Sequence, residues 1–478
     1  MRKLFLLFLA SLSISGNAQQ SGVNSLVNNW ITNSMLQGAS ISVCFRDAHS
    51  GDIIADHNAD LYLAPASTLK LWSTATAMEL LSPDFRFTTE LALAGKQHGD
   101  TLHGNIIIIG GGDPALGSRY FPEHYGDFLQ SWVDSLKQRG IRHINGDIIP
   151  DASAYDDAPV PDNWTWDDIG NYYGAGPSGL TAFDNMYEVH FFTPTKVGQP
   201  TKILFTTPET GISFDNRTLS STTMRDLSVI YGSPTDYTRI IKGTLPRGKA
   251  DFAVRGALPN PPRILAQCLA TKLHNSDIAF NGRIQPVRYH RTAADSLAEV
   301  RIAATTSPTL FEIAKETNYI SVNLFAEHLL MHPAYVKSGF ASATDGIRLL
   351  KQFWSSKGVS TNFSMYDGSG LARANAVTTA QTTAMLFYMM NKSSYSEQYF
   401  QTLPPAPEGT LSYFRKFPDG SLRAKSGSMS GIRSFAGLLR TKSGKELLFH
   451  IILNNFRCSQ ADAISAIEEL LLAVRKEN

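Results

Sequence analysis

The chain opens and closes on short runs of alternating apolar and polar residues. Near its start, Ala39–Phe45 and Asp52–Ala55 read as two strands joined by the turn residues Ala48-His49-Ser50-Gly51. Near its end, Ser434–Arg440 and Glu446–Leu453 form a second such pair around Thr441-Lys442-Ser443-Gly444-Lys445. Both ends therefore predict antiparallel strands for one sheet. Helical spacing follows Ser67, at Leu71, Ala75 and Met78, and recurs over Pro308–Thr317, Val322–Met331, Thr379–Met390 and Ala461–Arg475. The pattern predicts an α/β (α+β) domain, an antiparallel sheet covered by helices.

The middle of the chain differs. From Thr88 to Val300 many short strand-like runs are punctuated by Gly, Pro and Asn, with few helix signals, and the run at 104–113 is the clearest. One or two mostly β domains inserted into the first are expected. A length of 478 residues agrees, since it exceeds what one core organises and predicts two or three domains. The first residues are Met1-Arg2-Lys3, an apolar run Leu4–Ile14, and Gly16-Asn17-Ala18, the order of a cleavable signal peptide over residues 1–18. Export is expected, to the periplasm or extracytoplasmic envelope. No stretch approaches the roughly 18 apolar residues of a membrane span, so no permanent membrane anchor is expected.

Charge and cysteine content narrow the classes. With 43 basic and 42 acidic side chains the net charge is +1, and no Lys/Arg block is present, which excludes nucleic acid as an expected partner. Cys44, Cys268 and Cys458 are odd in number and far apart, room for one disulfide at most, and no spacing suggests a metal site.

Three short motifs carry chemistry. Pro65-Ala66-Ser67-Thr68-Leu69-Lys70 precedes a helix, placing Ser67 near its N-terminus and Lys70 one turn later on the same face. A serine hydroxyl needs a base, and a desolvated lysine can serve. This is the one Ser-x-x-Lys in the chain. Next, Ser321-Val322-Asn323 stands where one helical segment gives way to another, offering a hydroxyl to relay a proton and an amide to position a substrate. Alone, Ser321 reads as a helix N-cap. A second such pair, Ser360-Thr361-Asn362, lies in a polar loop without a following amphipathic helix and is set aside. Third, Lys425-Ser426-Gly427-Ser428 precedes the C-terminal strand pair: a cation for a carboxylate, a hydroxyl beside it, and a position without a side chain. Lys442-Ser443-Gly444 repeats it at a turn, where Ser-Gly is ordinary turn chemistry.

Ser-x-x-Lys, Ser-x-Asn and Lys-Ser/Thr-Gly in that order are the signature of serine β-lactamases and penicillin-binding proteins. The long insertion between Lys70 and Ser321 resembles that of the class C, low-molecular-mass penicillin-binding proteins, D-alanyl-D-alanine carboxypeptidase/endopeptidases with two inserted domains. Gly110-Gly111-Gly112-Asp113-Pro114, Gly146-Asp147-Ile148, Asp151-Ala152-Ser153, Tyr172-Tyr173-Gly174-Ala175, Asp367-Gly368-Ser369-Gly370-Leu371-Ala372-Arg373 and Gly409-Thr410-Leu411 resemble that family as well. The resemblance implies a catalytic domain over 19–87 and 301–478, a second domain over 88–190 and 256–300, and a third over 191–255. It implies Ser67 as nucleophile, Lys70 as general base, Ser321 as proton relay, Asn323 as positioning amide, and Lys425 with Ser426 as carboxylate site. The backbone N–H groups of Ser67 and Ser428 would form the oxyanion hole, with Gly427 between. Ser426 stands where threonine is usual, and Val322 where a polar residue is frequent.

Trp164-Thr165-Trp166-Asp167-Asp168, with Tyr172, is similar to the family segment in which an aspartate among aromatics binds the free amine of diaminopimelate, and Asp167 is preferred for that role. The implied partners are peptidoglycan stem peptides, with β-lactam antibiotics as covalent inhibitors. Side chains and backbone amides suffice for this chemistry, so neither metal nor organic cofactor is expected. A β-lactamase or esterase, and a non-catalytic cell-wall scaffold, remain the competing readings.

Overall fold

The computed structural model describes residues 22–477, and the leader expected over residues 1–18 lies outside them. The chain forms two compact units. One comprises the residues up to Pro83, Ala314–Val322 and those from Ile347 on; the other comprises Asp84–Ile313 and Asn323–Gly346.

The first unit is built on a five-stranded antiparallel sheet in the order Leu422–Met429, Ile432–Arg440, Glu446–Asn454, Ser40–Asp47, Ile53–His57. The two chain ends meet in it as their patterns predict: Ser40 pairs with Asn454 and Asp47 with Leu447 along one ladder. The central strand Glu446–Asn454 is buried at every position but its first, which explains why its sequence is a nearly unbroken apolar run. Helix Gln460–Lys476 begins at a Ser459/Asp462 capping box and packs Ala463, Ile467, Leu470 and Val474 into a core shared with Val27, Trp30, Phe435 and Phe449. The Trp30 indole donates to the Ala466 carbonyl at 2.7 Å, tying the helix at residues 22–31 to the last helix. Helix Thr379–Asn391, also opened by a capping box, at Thr378 and Gln381, rests on the sheet. Its Thr379 hydroxyl lies 2.8 Å from that of Ser42. The sheet covered by helices is thus the one the periodicity predicts.

The second unit contains a six-stranded sheet with Thr101–Ile109 at its centre. This strand pairs antiparallel with Thr88–His98 and parallel with His143–Asn145 and Ile148–Asp151, and Glu299–Thr306 adds to the far side of Thr88–His98. Two three-stranded sheets follow, Lys249–Ala257/Met186–Thr193/Lys202–Thr207 and Val229–Tyr231/Thr238–Pro246/Ser213–Ser221. They share a core of Tyr187, Val189, Phe191, Ile230, Ile241 and Val254.

The middle of the chain holds more helix than its punctuation suggests. Phe128–Gln138 starts at an Asp127 N-cap, and Pro261–His274 starts at Asn260 with both prolines in its first two positions. Asn260-Pro261-Pro262 belongs to that Gly, Pro and Asn punctuation yet begins a helix, because the first helical positions need no N–H and suit proline's fixed φ. Among the described residues no helix is long and apolar enough to cross a membrane.

Candidate active site

Ser67 lies in a short 3-10 turn, Ala66–Leu69, that runs directly into helix Lys70–Leu81. The residue before it, Ala66, has φ +48°, a left-handed conformation that a Cβ-bearing residue adopts only under constraint from its surroundings. Of Pro65–Lys70, Ser67 alone is not buried. Lys70 Nζ, on a side chain with no exposed surface, is hydrogen-bonded to Ser67 Oγ at 2.9 Å and donates to the main-chain carbonyl of Ser369 at 2.8 Å.

The third motif stands against this turn. Lys425 lies in the edge strand Leu422–Met429, fully buried, and its ammonium donates to Ser321 Oγ at 3.0 Å and to the Ser426 carbonyl at 2.6 Å. Burial first, and the positive charge of Lys70 second, hold the Lys425 ammonium well below the ordinary lysine range. Ser321 occupies the break between helices Leu310–Tyr319 and Asn323–Ser338 with φ +67°, a second strained non-glycine residue. Gly427 shows how closely the strand approaches: a Cβ there would lie 2.7 Å from the Pro65 carbonyl oxygen and 2.9 Å from the Ser67 nitrogen. Ser426 is buried and the Ser428 side chain exposed. The first unit thus brings Ser67, Lys70, Ser321, Lys425, Ser426, Gly427 and Ser428 together.

Behind the nucleophile lies a network with no counterpart among the motifs. Thr68 Oγ1 is 3.3 Å from Ser434 Oγ and 3.2 Å from His450 Nε2, and both Thr68 and Ser434 donate to the Pro65 carbonyl. Burial pushes His450 down to about 3, so the ring is neutral. A histidine inside an apolar strand run gives a reader of the sequence no reason to connect it with a turn 382 residues away.

Trp164, Asp167, Tyr172 and Asn323 belong to the second unit. Asn323 opens helix Asn323–Ser338, and its side-chain amide donates to the Tyr173 carbonyl at 2.8 Å, holding it to the Tyr172–Gly174 turn. Within the aromatic segment the Asp168 carboxylate accepts the Thr165 hydroxyl at 2.7 Å, while Asp167, Trp166 and Tyr172 are exposed. Asn171 closes the same turn by donating to the Asp167 carbonyl at 2.7 Å.

The motif copies set aside are ordinary structure. Gln381 donates to the Ser360 hydroxyl in a surface loop, and Gly444 turns the hairpin after Lys442 with φ +90°. Cys44, Cys268 and Cys458 are all free thiols. Among the described residues, no three His, Cys, Asp or Glu side chains are grouped to hold a metal ion.

The sequence model of the D-Ala-D-Ala carboxypeptidase 3 (S13) family matches residues 23–474. The chain belongs to that family. It is a peptidase of the D-Ala-D-Ala carboxypeptidase class, as the order of the three motifs implies. Among curated relatives, the D-alanyl-D-alanine carboxypeptidase of Actinomadura sp. (strain R39) is 26% identical over 436 residues, 88% of this chain and 78% of the relative. The D-alanyl-D-alanine carboxypeptidase DacB of Haemophilus influenzae is 25% identical over 445 residues, 89% of this chain and 88% of the relative. The fold is that of penicillin binding protein 4 (dacB) from Haemophilus influenzae, whose crystal structure matches with TM-score 0.80 at 23% identity, covering 94% of this chain and 99% of that one.

Proposed function

We propose that this enzyme cleaves the terminal D-Ala-D-Ala bond of peptidoglycan stem peptides, and D-Ala-diaminopimelate cross-links, through an ester on Ser67. The observation that carries this reading is the pair of buried lysines, each donating to a serine hydroxyl: Lys70 to Ser67 at 2.9 Å and Lys425 to Ser321 at 3.0 Å.

Lys70 takes the Ser67 proton as Oγ attacks the carbonyl carbon, and the main-chain N–H groups of Ser67 and Ser428 receive the oxyanion. Collapse breaks the peptide C–N bond, and Ser321 passes a proton to the departing amine. Lys425 and Ser426 hold the substrate's terminal carboxylate, whose negative charge favours the protonated Lys425 amine against the burial and the Lys70 charge that oppose it. Water then opens the ester. Asn323 positions the substrate carbonyl. Trp164, Asp167 and Tyr172 bind the free amine of diaminopimelate; that Asp168 is engaged by Thr165 while Asp167 is exposed supports Asp167 as the anion. A β-lactam presents a strained amide to the same serine and blocks it, and the name of the Haemophilus penicillin binding protein 4 supports this.

The same reading places the chain in the periplasm or extracytoplasmic envelope, where its substrate lies. The long insertion is read as two domains with limits near residues 190 and 256, a division supported by the separate core of the two three-stranded sheets. A fluorescent penicillin is expected to label the native protein covalently, and Ser67→Ala to abolish labelling; labelling that survives the substitution refutes Ser67 as nucleophile. Native protein that is labelled but releases no D-alanine from a pentapeptide, and cleaves no cross-linked dimer, is a scaffold and not a peptidase.

A further inference from the structure

The second partner of Lys70, the Ser369 carbonyl, lies in a segment with no regular structure: none of residues 365–372 belongs to a helix or strand. A fully buried carboxylate organises it. Asp367 Oδ1 accepts from the Gly370 N–H at 2.9 Å and from Asn375 Nδ2 at 2.7 Å, and Oδ2 accepts from the Ala372 N–H at 2.7 Å and the Ser369 hydroxyl at 3.3 Å. Asn375 is fixed in turn, accepting the Tyr366 N–H and donating to the Ala372 carbonyl, each at 2.8 Å. From the helix side, the Ser73 hydroxyl donates to the Gly368 carbonyl at 2.7 Å. The loop is pressed on the nucleophile turn: Gly370 has φ +83°, and a Cβ there would lie 1.9 Å from the Ala66 carbonyl oxygen.

We propose that Asp367 is a positioning residue for acylation, acting through the Ser369 carbonyl to aim Lys70 at Ser67. This rests on the reading of Lys70 as general base. A neutral amine carries one lone pair and two N–H bonds, and rotation about the last C–N bond sweeps the lone pair around a cone. A rigid acceptor on one N–H restricts that sweep, so that the lone pair meets the Ser67 proton without a search. Such pre-orientation lowers the barrier of the chemical step and leaves ground-state binding untouched. The loop offers its carbonyl at a fixed place only because a carboxylate, which accepts on every lone pair, gathers four donors at once. In Asp367→Asn an NH2 group replaces one of the oxygens and meets the Gly370 or the Ala372 N–H, neither of which can turn away. The knot must then open.

The test is rapid-mixing acylation of the full chain by a chromogenic β-lactam, expressed per titrated active site and separated into the dissociation constant of the initial complex and the limiting acylation rate. For Asp367→Asn the limiting rate is expected to fall roughly 10- to 100-fold, the effect of a misplaced catalytic group, with the dissociation constant within about threefold of native. Ser73→Ala removes the second anchor and keeps the carboxylate; its limiting rate is expected to fall roughly two- to tenfold, the worth of one hydrogen bond. If Asp367→Asn does not fold, Ser73→Ala alone decides. Lys70→Ala separates the two readings. Should Lys70→Ala acylate normally, the base assignment fails. Should it be inert while Asp367→Asn and Ser73→Ala keep the native limiting rate, the base assignment stands and the positioning role is overturned. Parallel changes in binding and limiting rate overturn it as well, because they report general distortion of the site.

Discussion

Gly427→Ala tests the contact between the third motif and the nucleophile turn with a single methyl group. The added Cβ would lie 2.2 Å from Ser434 Oγ, 2.7 Å from the Pro65 carbonyl oxygen and 2.9 Å from the Ser67 nitrogen. Two of these neighbours are main chain, and the third is held by its own hydrogen bond to Pro65, so none can swing aside. Relief comes from the strand, which must retreat by about an ångström to bring all three distances back to ordinary contact. The retreat carries the Ser428 N–H away from the place where the oxyanion forms. Loss of one oxyanion donor costs about 100- to 1,000-fold in rate, and misplacement by about 1 Å up to about 100-fold. A shift of that size is therefore expected to slow acylation by fluorescent penicillin roughly 10- to 100-fold. Overpacking costs about 1–3 kcal/mol, a loss in melting temperature of several degrees, so the variant should remain folded. The assay is the second-order acylation constant per folded molecule, with folding checked by near-ultraviolet circular dichroism. Ser428→Ala is the control, since it removes an exposed side chain and keeps the N–H; it should stay near the native rate. A Gly427→Ala enzyme that acylates within about threefold of native would refute both the close approach and the backbone oxyanion role.

Three further expectations concern the second unit. Burial raises Asp113 to about 7, against 3.8 for the free group, although the Ala115 N–H and the Tyr125 hydroxyl oppose the rise. Its protonated form therefore stabilises the fold fully below pH 3.8, and that stability is lost as pH rises through about 7. Between pH 5 and 7 the native protein should lose on the order of 3 kcal/mol relative to Asp113→Asn in denaturant unfolding, and parallel curves would refute the assignment. His332, whose Nδ1 lies 3.1 Å from the Tyr155 hydroxyl oxygen and whose ring packs on Phe87, has the opposite sign. Burial lowers it to about 3 from 6.5, so its contribution is present above pH 6.5 and lost as pH falls toward 3. His332→Phe should remove up to about 1.4 kcal/mol per pH unit from the acid slope, and an unchanged slope would show that the ring is already charged. Asp167→Ala should raise KM for stems with a free diaminopimelate amine by roughly tenfold while sparing amidated or truncated stems, the worth of one exposed charge and aromatic contact. Equal losses on all stems would dismiss the amine site.

Much of the first unit is legible because its signals are local. The alternation of Ser434–Arg440 and the apolar run after Glu446 need only a two-residue period, and Ser67 to Lys70 needs only the rise of one helical turn. What escapes is set by tertiary contact. Nothing near Ser321 announces φ +67°, and the partner of its hydroxyl, Lys425, lies 104 residues away. Pro261 and Pro262 mislead because the same residue breaks a helix inside and favours it at the start. The Asp367 loop has a sequence rich in turn formers, yet only the folded chain reveals that its carbonyl faces Lys70 and not water.

The pairing of Ser40–Asp47 with Glu446–Asn454 also sets when the enzyme comes to life during synthesis. The nucleophile turn is translated long before the strands that carry its second lysine and complete its sheet. Such long-range pairing is slow to form, because a loop of almost the whole chain must close first. Ser67 and Lys70 therefore stay latent until the strand that carries Lys425 has been made and paired.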